Sequence, residues 1–444
     1  MDPGLMTILL FGSMVLLLML GLPLTFALGG VAVVFTFFLW GEGALNMVGL
    51  AINSVQMSFI LVCTPLFIFM GNILERAGIA DALFEAMYHW VGPLPGGLAM
   101  GTVFICTIFA AMAGVSSVAT VTMGLIALPA MLRRNYNKTI AMGSIMAGGA
   151  LGPLIPPSVT MIIYGFMAEM SIGQLFIGGI IPGLILSSLF CLYIGIRCSL
   201  QSHLGPPVPL EETVSWRQKL LLLRGLILPV FLIFSIMGSI FLGIASPSEA
   251  AAVGALGALI CAAINRRLTW NLFKDACYRT LRMGGMVLWI VIGAKCFTAA
   301  YSALGGQQLM RNLIAALAVN RWVVLIAMMA SLFFLGMILD VIGIIFITVP
   351  VYVPVIVDLG FNPLWFGILF FVNMEMAYLT PPFGFNLFYM RAVTPDVGIT
   401  KGITMGDIYR AIIPFVAIQM TVLILVLLFP QLALWLPSLM IKGT

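Results

Sequence analysis

The chain has 444 residues, of which 62% are hydrophobic and 8% are charged. Soluble domains average about 45–50% apolar and about 25% charged residues, so the composition excludes a soluble globular protein and indicates a polytopic membrane protein. The net charge of +5 comes from basic clusters between apolar segments. It therefore concerns membrane topology and gives no reason to expect nucleic-acid binding. The two histidines stand alone and the seven cysteines form no CxxC pair, so we expect neither a catalytic metal nor disulfides.

The first part of the chain contains three apolar segments that are long enough to span a bilayer. These spans are expected at Leu5–Leu20, Leu24–Trp40 and from Met57 to about Glu75. The first residues carry no basic n-region, so they do not resemble a cleaved signal, and we expect the first span to start outside the cell. Residues 41–56 are too polar to span and are expected at the interface. Ala80–Trp90 has the mixed composition of an amphipathic surface helix.

A long apolar segment, Leu94–Leu132, is interrupted by the small residues Ala113-Gly114-Val115-Ser116-Ser117. It is either two full spans or one re-entrant hairpin whose tip stops inside the membrane. Basic clusters follow it and recur after every second span downstream, at Arg133/Arg134/Lys138, Arg197/Arg217/Lys219/Arg224 and Arg266/Arg267/Lys274/Arg279/Arg282. If these clusters are cytoplasmic and the chain starts outside, the segment must return to the cytoplasm. The charge pattern therefore favours the hairpin.

The next span, from Thr139 to about Met167, contains a run that cannot remain helical. Within ten residues it holds Gly148, Gly149, Gly152, Pro153, Pro156 and Pro157. Proline removes amide donors and glycine lowers helix propensity. We therefore predict a broken helix, followed by a span at Ile172–Arg197 and a polar loop, Gln201–Gln218, at the midpoint of the chain.

The second half repeats this order of segments. Spans are expected at Leu220–Leu242, Ala250–Ile264, Gly284–Leu304 and Ala411–Trp435, and surface helices at Trp270–Leu281 and Gln307–Asn320. Trp322–Asp358 is a second interrupted apolar segment, broken near Gly336 and Asp340. A second broken span runs from Leu364 to about Met390, with its break in Ala377–Asn386.

Matching residues recur 222 to 232 positions apart, in the same order in both halves. The pairs are Pro23 and Pro247, Gly114 and Gly336, Pro156-Pro157 and Pro381-Pro382, and the Ile-Ile-Pro segments that end at Pro182 and Pro414. Each half is predicted to hold five transmembrane helices and one re-entrant helical hairpin. An odd number of spans inverts the second copy. The predicted fold is therefore an all-α polytopic membrane protein of two inverted repeats, as in secondary transporters.

Each half offers a hairpin tip and a broken helix as a candidate site. Freed backbone carbonyls and hydroxyls suit a hard cation such as Na⁺, although glycine and serine also simply let helices pack closely. Asp340 is informative because an acid inside an apolar hairpin is costly without a partner or a cavity. The chain has no nucleotide-binding loop of the GxxxxGK[ST] kind, so an ion gradient is the expected energy source.

The motifs at these positions resemble those of the large membrane subunit, DctM type, of the tripartite ATP-independent periplasmic (TRAP) transporters. The similarity extends over essentially the whole chain. The segments that carry it are GVSSVATVTMGLIALPAMLRR (114–134), GSIMAGGALGPLIPPS (143–158), GMILDVIGIIFITVPVYVPV (336–355) and YLTPPFGFNLF (378–388). The resemblance implies a sodium-driven elevator-type importer of the wider ion-transporter superfamily, located in the bacterial inner membrane.

The resemblance also implies particular site residues and two Na⁺ ions. The first Na⁺ site would lie at Gly114, Ser116, Gly149 and Gly152. The second would lie at Gly336, Leu339, Ala377 and Thr380. Substrate contacts would fall on Ser116, Ser117, Ser158 and Asp340. The second tip lacks the serine pair of the first, so the two halves are not chemically equivalent.

The implied partners are a separate small four-span membrane subunit and a periplasmic substrate-binding protein that delivers a small organic acid. We expect residues 92–198 and 322–444 to form a transport domain. Residues 1–91 and 199–321 would form the scaffold. A stand-alone sodium- or proton-coupled dicarboxylate carrier of the same superfamily, a channel and a polytopic membrane enzyme are the alternatives. The last has no acid–base or metal cluster to support it, so we do not expect an enzyme.

Overall fold

A computed structural model describes residues 3–440 of the chain, except for residues 115, 210–213, 318 and 396. Val115, which the sequence places in the first hairpin tip, therefore lies outside the described residues. The regular structure in the described ranges is helical throughout. Among these residues, seven helices have the length and hydropathy of a membrane span, or eight if one bent pair near residue 223 counts as a single span.

The described residues of the first half form ten α-helices. They are α1 (Pro3–Met19), α2 (Leu24–Trp40), α3 (Leu45–Gln56), α4 (Cys63–Arg76), α5 (Ile79–Trp90), α6 (Gly97–Ala113), α7 (Ser116–Arg133), α8 (Lys138–Ala150), α9 (Val159–Met167) and α10 (Ile172–Leu200). Helices α6 and α7 are the arms of hairpin 1. Its tip, tip 1, is described at Gly114 and at Ser116 and Ser117, which are also the first residues of α7. The non-helical residues 151–158 between α8 and α9 are break 1.

The described residues of the second half form eleven α-helices. They are α11 (Trp216–Leu222), α12 (Arg224–Phe241), α13 (Pro247–Ile264), α14 (Trp270–Ala303), α15 (Gly306–Leu317), α16 (Arg321–Gly336), α17 (Val341–Asp358), α18 (Pro363–Tyr378), α19 (Phe385–Val393), α20 (Met405–Leu428) and α21 (Gln431–Ser438). Helices α16 and α17 are the arms of hairpin 2, with tip 2 at residues 337–340. Residues 379–384, between α18 and α19, are break 2.

Helix packing follows the predicted inverted repeat. Helix α2 packs on α14 while its counterpart α13 packs on α4, the counterpart of α14. The arm of each hairpin that follows the tip also crosses to the other half, since α7 contacts α19 and α17 contacts α9. The amphipathic helices α5 and α15 behave alike, because α5 contacts α12 and α7, and α15 contacts α1 and α17. The predicted fold class is confirmed.

Three local predictions were wrong. The surface helix Trp270–Leu281 and the span Gly284–Leu304 form one continuous helix, α14, because neither proline nor a polar loop separates them and Gly284 packs on Pro65. The last span begins at Met405 rather than Ala411 and ends at Leu428, before a second short helix, because Phe429 leaves the helical conformation ahead of Pro430. The first break is shorter than predicted.

Helix α8 continues through Gly148 and Gly149 and ends at Ala150. Glycine weakens a helix by only about 1 kcal/mol relative to alanine, and tight packing in the protein interior offsets this cost. At Gly148 an added Cβ would lie 2.7 Å from the Cβ of Cys106. The absent side chains therefore permit close helix packing, and it is the run Pro153 to Pro157 that ends the helix.

The two broken spans share a core with α10 and α20. The ring of Tyr164 on α9 contacts Phe370 and Phe371 on α18 at centroid distances of 5.2 and 5.4 Å. The Trp365 indole N–H donates to the Val426 carbonyl at 2.8 Å, which joins α18 to α20. This core fixes the two breaks relative to each other.

Gly143 provides a test of the packing between α8 and α20. An added Cβ would lie 2.5 Å from both the Ala411 carbonyl oxygen and the Phe415 ring. Overpacking of this kind costs about 1–3 kcal/mol, so Gly143→Ala is expected to lower the thermal unfolding temperature of the purified protein. Gly12→Ala, in a helix where an added Cβ meets nothing within 4 Å, is the matched control. Equal unfolding temperatures for the two variants would contradict this packing.

Candidate functional site

Tip 1 lies directly against break 1. Gly114 ends α6 with φ +62°, and a Cβ there would lie 2.8 Å from the Pro157 carbonyl oxygen. Both the left-handed conformation and the close contact require glycine. The first described residue beyond the tip glycine is Ser116, where α7 begins, so the N-terminus of α7 lies beside the freed backbone of break 1.

Two hydroxyls on α7 are buried without a hydrogen-bond partner among the described residues. They are Ser116 Oγ, on a side chain that is 4% exposed, and Thr120 Oγ1, which is fully buried. Four residues apart, they lie on the same face of the helix. That face contacts α8, because a Cβ on Gly149 would lie 2.0 Å from Thr120 Oγ1. Buried hydroxyls without a protein partner need a ligand, an ion or water.

Ser158 begins the second segment of the first broken helix. Its hydroxyl accepts from the Met161 amide at 3.4 Å, which is the N-cap interaction that starts α9. The same oxygen lies 2.8 Å from Thr160 Oγ1. Ser158 is therefore fully buried and holds the helix start, while the neighbouring Thr160 lines a cavity described below.

Hairpin 2 packs on the end of α18 near its tip. Gly336 packs on Ala377, whose Cβ would lie 2.5 Å from a Cβ at Gly336. Asp340 is the N-cap of α17: its Oδ2 accepts from the Ile342 amide at 3.2 Å. Its Oδ1 accepts from the Tyr378 hydroxyl at 2.8 Å. In break 2, the Thr380 hydroxyl donates to the Met376 carbonyl at 2.8 Å.

An amide side chain forms a hydrogen bond between the two broken helices. The Nδ2 of Asn386, on α19, donates to the Met146 carbonyl of α8 at 3.2 Å. Its Oδ1 is buried and has no partner among the described residues. Asn386 thus adds a third unpartnered buried oxygen to those of Ser116 and Thr120.

One cavity of about 280 Å³ lies between the two tips. Gly114, Ser116 and Ser117 line it from tip 1, and Asp340 lines it from tip 2. Its remaining wall comes from break 1 and from α4, α9, α14, α17, α18 and α19: Ile68, Pro153, Val159, Thr160, Met283, Met286, Val287, Val341, Ile342, Tyr378, Phe385 and Tyr389. Asp340 is the only charged residue among these lining residues.

Four helices begin at this cavity, and four end close to it. The first residues of α7, α9, α17 and α19 line it, so four positive helix ends converge there. Helices α6, α8, α16 and α18 end at the tips and breaks and carry the negative ends. A carbonyl that already accepts one hydrogen bond keeps a second lone pair. The arrangement provides positive potential for an anion and oxygen ligands for cations in adjacent positions.

Comparison with known proteins places the sequence in a family. The tripartite ATP-independent periplasmic transporter, DctM component, matches residues 11–432. The chain belongs to this family. It is a multi-pass transporter permease subunit rather than an enzyme, and it has several curated relatives at about 30% identity.

Two relatives and one solved structure illustrate the match. The C4-dicarboxylate TRAP transporter large permease protein DctM of Pseudomonas aeruginosa is 30% identical over 92% of this chain and 93% of its own length. The ectoine/5-hydroxyectoine TRAP transporter large permease protein UehC of Ruegeria pomeroyi is 30% identical over 97% and 98%. The Alcanivorax borkumensis YdaH transporter structure superposes with a TM-score of 0.64 at 15% identity, covering 99% of each chain. It supports the fold alone.

The structure gathers most of the residues that the permease sequence suggested. Gly114, Ser116, Ser117 and Asp340 line one cavity, and Ser158 lies directly behind its wall. Gly149 contacts Thr120, Gly152 lies in break 1, and Gly336 contacts Ala377. Leu339 lies in tip 2 and Thr380 in break 2. Their roles as Na⁺ or substrate ligands stay predictions.

Sequence reasoning did not single out Thr120, Tyr378, Asn386 and Tyr389. Thr120, Tyr378 and Asn386 fall within the segments that carry the family resemblance (114–134 and 378–388). Their roles in the structure depend on contacts with other parts of the chain, which the sequence does not show. Tyr378 bonds to a residue 38 positions away and Asn386 to one 240 positions away. Polarity inside an apolar segment was the available signal, and it applies to Asn386 and Thr120.

The contact between Gly149 and Thr120 can be tested by a double-mutant cycle. Gly149→Ala is expected to lower the unfolding temperature by about 2 °C or more, because the new methyl group overlaps Thr120 Oγ1. In a Thr120→Ala background the same change is expected to cost much less. Strictly additive shifts in unfolding temperature would show that the two residues do not touch.

Proposed function

We propose that this permease is the membrane subunit of a sodium-coupled, binding-protein-dependent importer of small organic acids that works by an elevator motion. Its partners would be a separate small four-span membrane subunit and a periplasmic substrate-binding protein. It would lie in the bacterial inner membrane with its N-terminus in the periplasm. The observation that carries the proposal is the convergence of four helix N-termini on the tip cavity.

Positive helix ends favour an anionic substrate. Each supplies backbone amides and a partial positive charge that is strongest in the first turn. The Ser116 and Ser117 hydroxyls at the start of α7, together with Thr160 on α9, add neutral donors to the same cavity. A carboxylate can be bound by such groups without any arginine or lysine in the wall.

Oxygen atoms near tip 1 fit the first proposed Na⁺ site. Na⁺ is a hard cation and prefers oxygen ligands. The hydroxyls of Ser116 and Thr120, which have no hydrogen-bond partner among the described residues, and the freed backbone of break 1 supply neutral oxygens within one region. At tip 2, the Thr380 hydroxyl and the carbonyls at the end of α18 offer a second set, although the hydroxyl already donates to Met376.

An elevator motion requires two bodies that slide past each other. We assign the moving body to residues 92–198 and 322–444 and the scaffold to residues 1–91 and 199–321. Among the described residues, two ion pairs cross between these bodies: Lys295 Nζ on α14 lies 3.4 Å from Glu169 Oε1, between α9 and α10, and Arg311 Nε on α15 lies 2.6 Å from Asp358 Oδ2 at the end of α17. The Glu169 side chain is 83% exposed, and the Arg311 and Asp358 side chains are 49% and 37% exposed. Both pairs therefore contribute little to stability and are easily broken by movement.

Sodium coupling is tested by uptake into proteoliposomes that hold the permease and its partner subunits. Uptake is expected to require Na⁺. Ser116→Ala is expected to raise the Na⁺ concentration for half-maximal uptake by roughly tenfold, the effect of losing one polar ligand in a buried site. Ser144→Ala is the matched control, because this buried serine bonds to Ala141 within its own helix. Uptake indifferent to Na⁺ would refute the coupling, and uptake without a binding protein would favour a stand-alone carrier.

The elevator motion is tested by joining the two bodies. Cysteines introduced by Lys295→Cys and Glu169→Cys are to be linked with a bifunctional thiol reagent. We expect uptake to be lost on cross-linking and restored when the linker is cleaved. The control pair, Arg76→Cys with Asp275→Cys, replaces an ion pair within the scaffold. Full uptake with the first pair linked would exclude a sliding movement at this interface.

A further inference from the structure

The hydroxyl group of Tyr378 connects tip 2 to the start of break 2 through two hydrogen bonds. It accepts from the Val341 amide at 3.0 Å and donates to Asp340 Oδ1 at 2.8 Å. Val341 is the first residue of α17, whose amide has no acceptor within its own helix. One phenol therefore completes the start of α17 and fixes one oxygen of the Asp340 carboxylate.

These two hydrogen bonds hold tip 2 against the end of α18. Tyr378 is the last residue of α18 and is 4% exposed, and its ring packs edge-to-face on Phe385, the first residue of α19, at 5.6 Å. The ring is thus held by both segments of the broken helix. Its hydroxyl reaches across to the hairpin, where Asp340 lines the tip cavity.

The first half has no tyrosine at the position equivalent to Tyr378. Tyr378 precedes Pro381-Pro382 by three residues, and the residue that precedes Pro156-Pro157 by three is Pro153. Proline has neither a hydroxyl nor an amide hydrogen. The two halves therefore close by different means, with Gly114 packed on the Pro157 carbonyl at tip 1 and a hydroxyl bridge at tip 2.

We propose that Tyr378 is a positioning residue that holds tip 2 closed against break 2 and orients Asp340 in the cavity. This inference builds on the proposed transport function. Without the hydroxyl, Asp340 Oδ1 and the Val341 amide lose their partner inside the protein. The ring remains in its packed position, so the effect is on the tip rather than on the helix break.

The test measures how fast a thiol on tip 2 reacts with a membrane-impermeant maleimide. Ile338→Cys provides the thiol at a tip residue that is 59% exposed. Cys277→Ser removes the exposed native cysteine. The full complex in proteoliposomes is labelled with and without Na⁺. Tyr378→Phe is expected to speed labelling roughly tenfold, the factor that one charge-assisted hydrogen bond supplies.

The same hairpin provides the matched control. The Tyr352 hydroxyl lies 2.7 Å from Ser331 Oγ and joins the two arms of hairpin 2 away from the tip. Tyr352→Phe removes a hydroxyl from a tyrosine in the same element and is expected to leave the labelling rate of the tip thiol unchanged. Equal acceleration by both variants would show a general loosening of the hairpin and would overturn the proposal.

Substitutions of the partner residue separate positioning from a general structural effect. Asp340→Ala is expected to accelerate labelling as much as Tyr378→Phe, with no further gain in the double variant. Asp340→Asn keeps an oxygen acceptor but loses the charge, so its labelling rate is expected to lie between those of the parent and Asp340→Ala. If Tyr378→Phe does not fold, the difference in labelling rate between Asp340→Ala and Asp340→Asn tests the proposal instead. Parent-like labelling of Tyr378→Phe, or of Asp340→Ala, would refute the closure.

Labelling with and without Na⁺ distinguishes a failure of this inference from a failure of the proposed sodium coupling. Na⁺ is expected to slow labelling of the parent, and Tyr378→Phe is expected to raise the Na⁺ concentration for half-maximal protection roughly tenfold. A parent unaffected by Na⁺ would argue against sodium binding at the tips. In that case, the ratio of the labelling rates of Tyr378→Phe and the parent, both measured without Na⁺, would still test whether Tyr378 holds tip 2 closed.

Discussion

The structure depends on one constraint: a peptide group freed from a helix inside a membrane must find a partner within the protein. Four helices end and four begin at the two tips and breaks, which creates many such groups in a small region. Side chains satisfy several of them, as Ser158 does at α9 and Asp340 and Tyr378 do at α17. The same groups that make a broken helix costly are the groups that the proposed Na⁺ sites would use.

Close approach of backbones is the second requirement, and small residues provide it. Gly114 lies against break 1, Gly149 lies against Thr120, and Gly336 lies against Ala377. At each of these positions an added Cβ would come within 3 Å of a neighbouring atom. The glycines therefore place hairpin tips against helix ends, so that hydroxyls and carbonyls from different segments come within reach of one ligand.

The sequence could predict the breaks because proline acts locally. Pro156-Pro157 and Pro381-Pro382 interrupt their spans wherever those spans lie, and the charge pattern and the repeat then predict the hairpins. It could not predict that α8 continues through Gly149, because packing on Thr120 and its neighbours decides that helix. It also could not predict the link between Asn386 and Met146, since 240 residues separate the partners and only the folded arrangement of both halves joins them.

The two halves share a backbone design but use their polar side chains differently. At tip 1 the hydroxyls of Ser116 and Thr120 are buried with no partner among the described residues, and a glycine contact closes the tip. At tip 2 the available oxygens of Asp340 and Thr380 are already hydrogen-bonded to the protein. A ligand at tip 1 would bind these oxygens without breaking a hydrogen bond within the protein. A ligand at tip 2 would have to replace the existing hydrogen bonds or use the remaining lone pairs of the same oxygens. Helix polarity is therefore common to both repeats, and the polar side chains are what distinguish one repeat from the other.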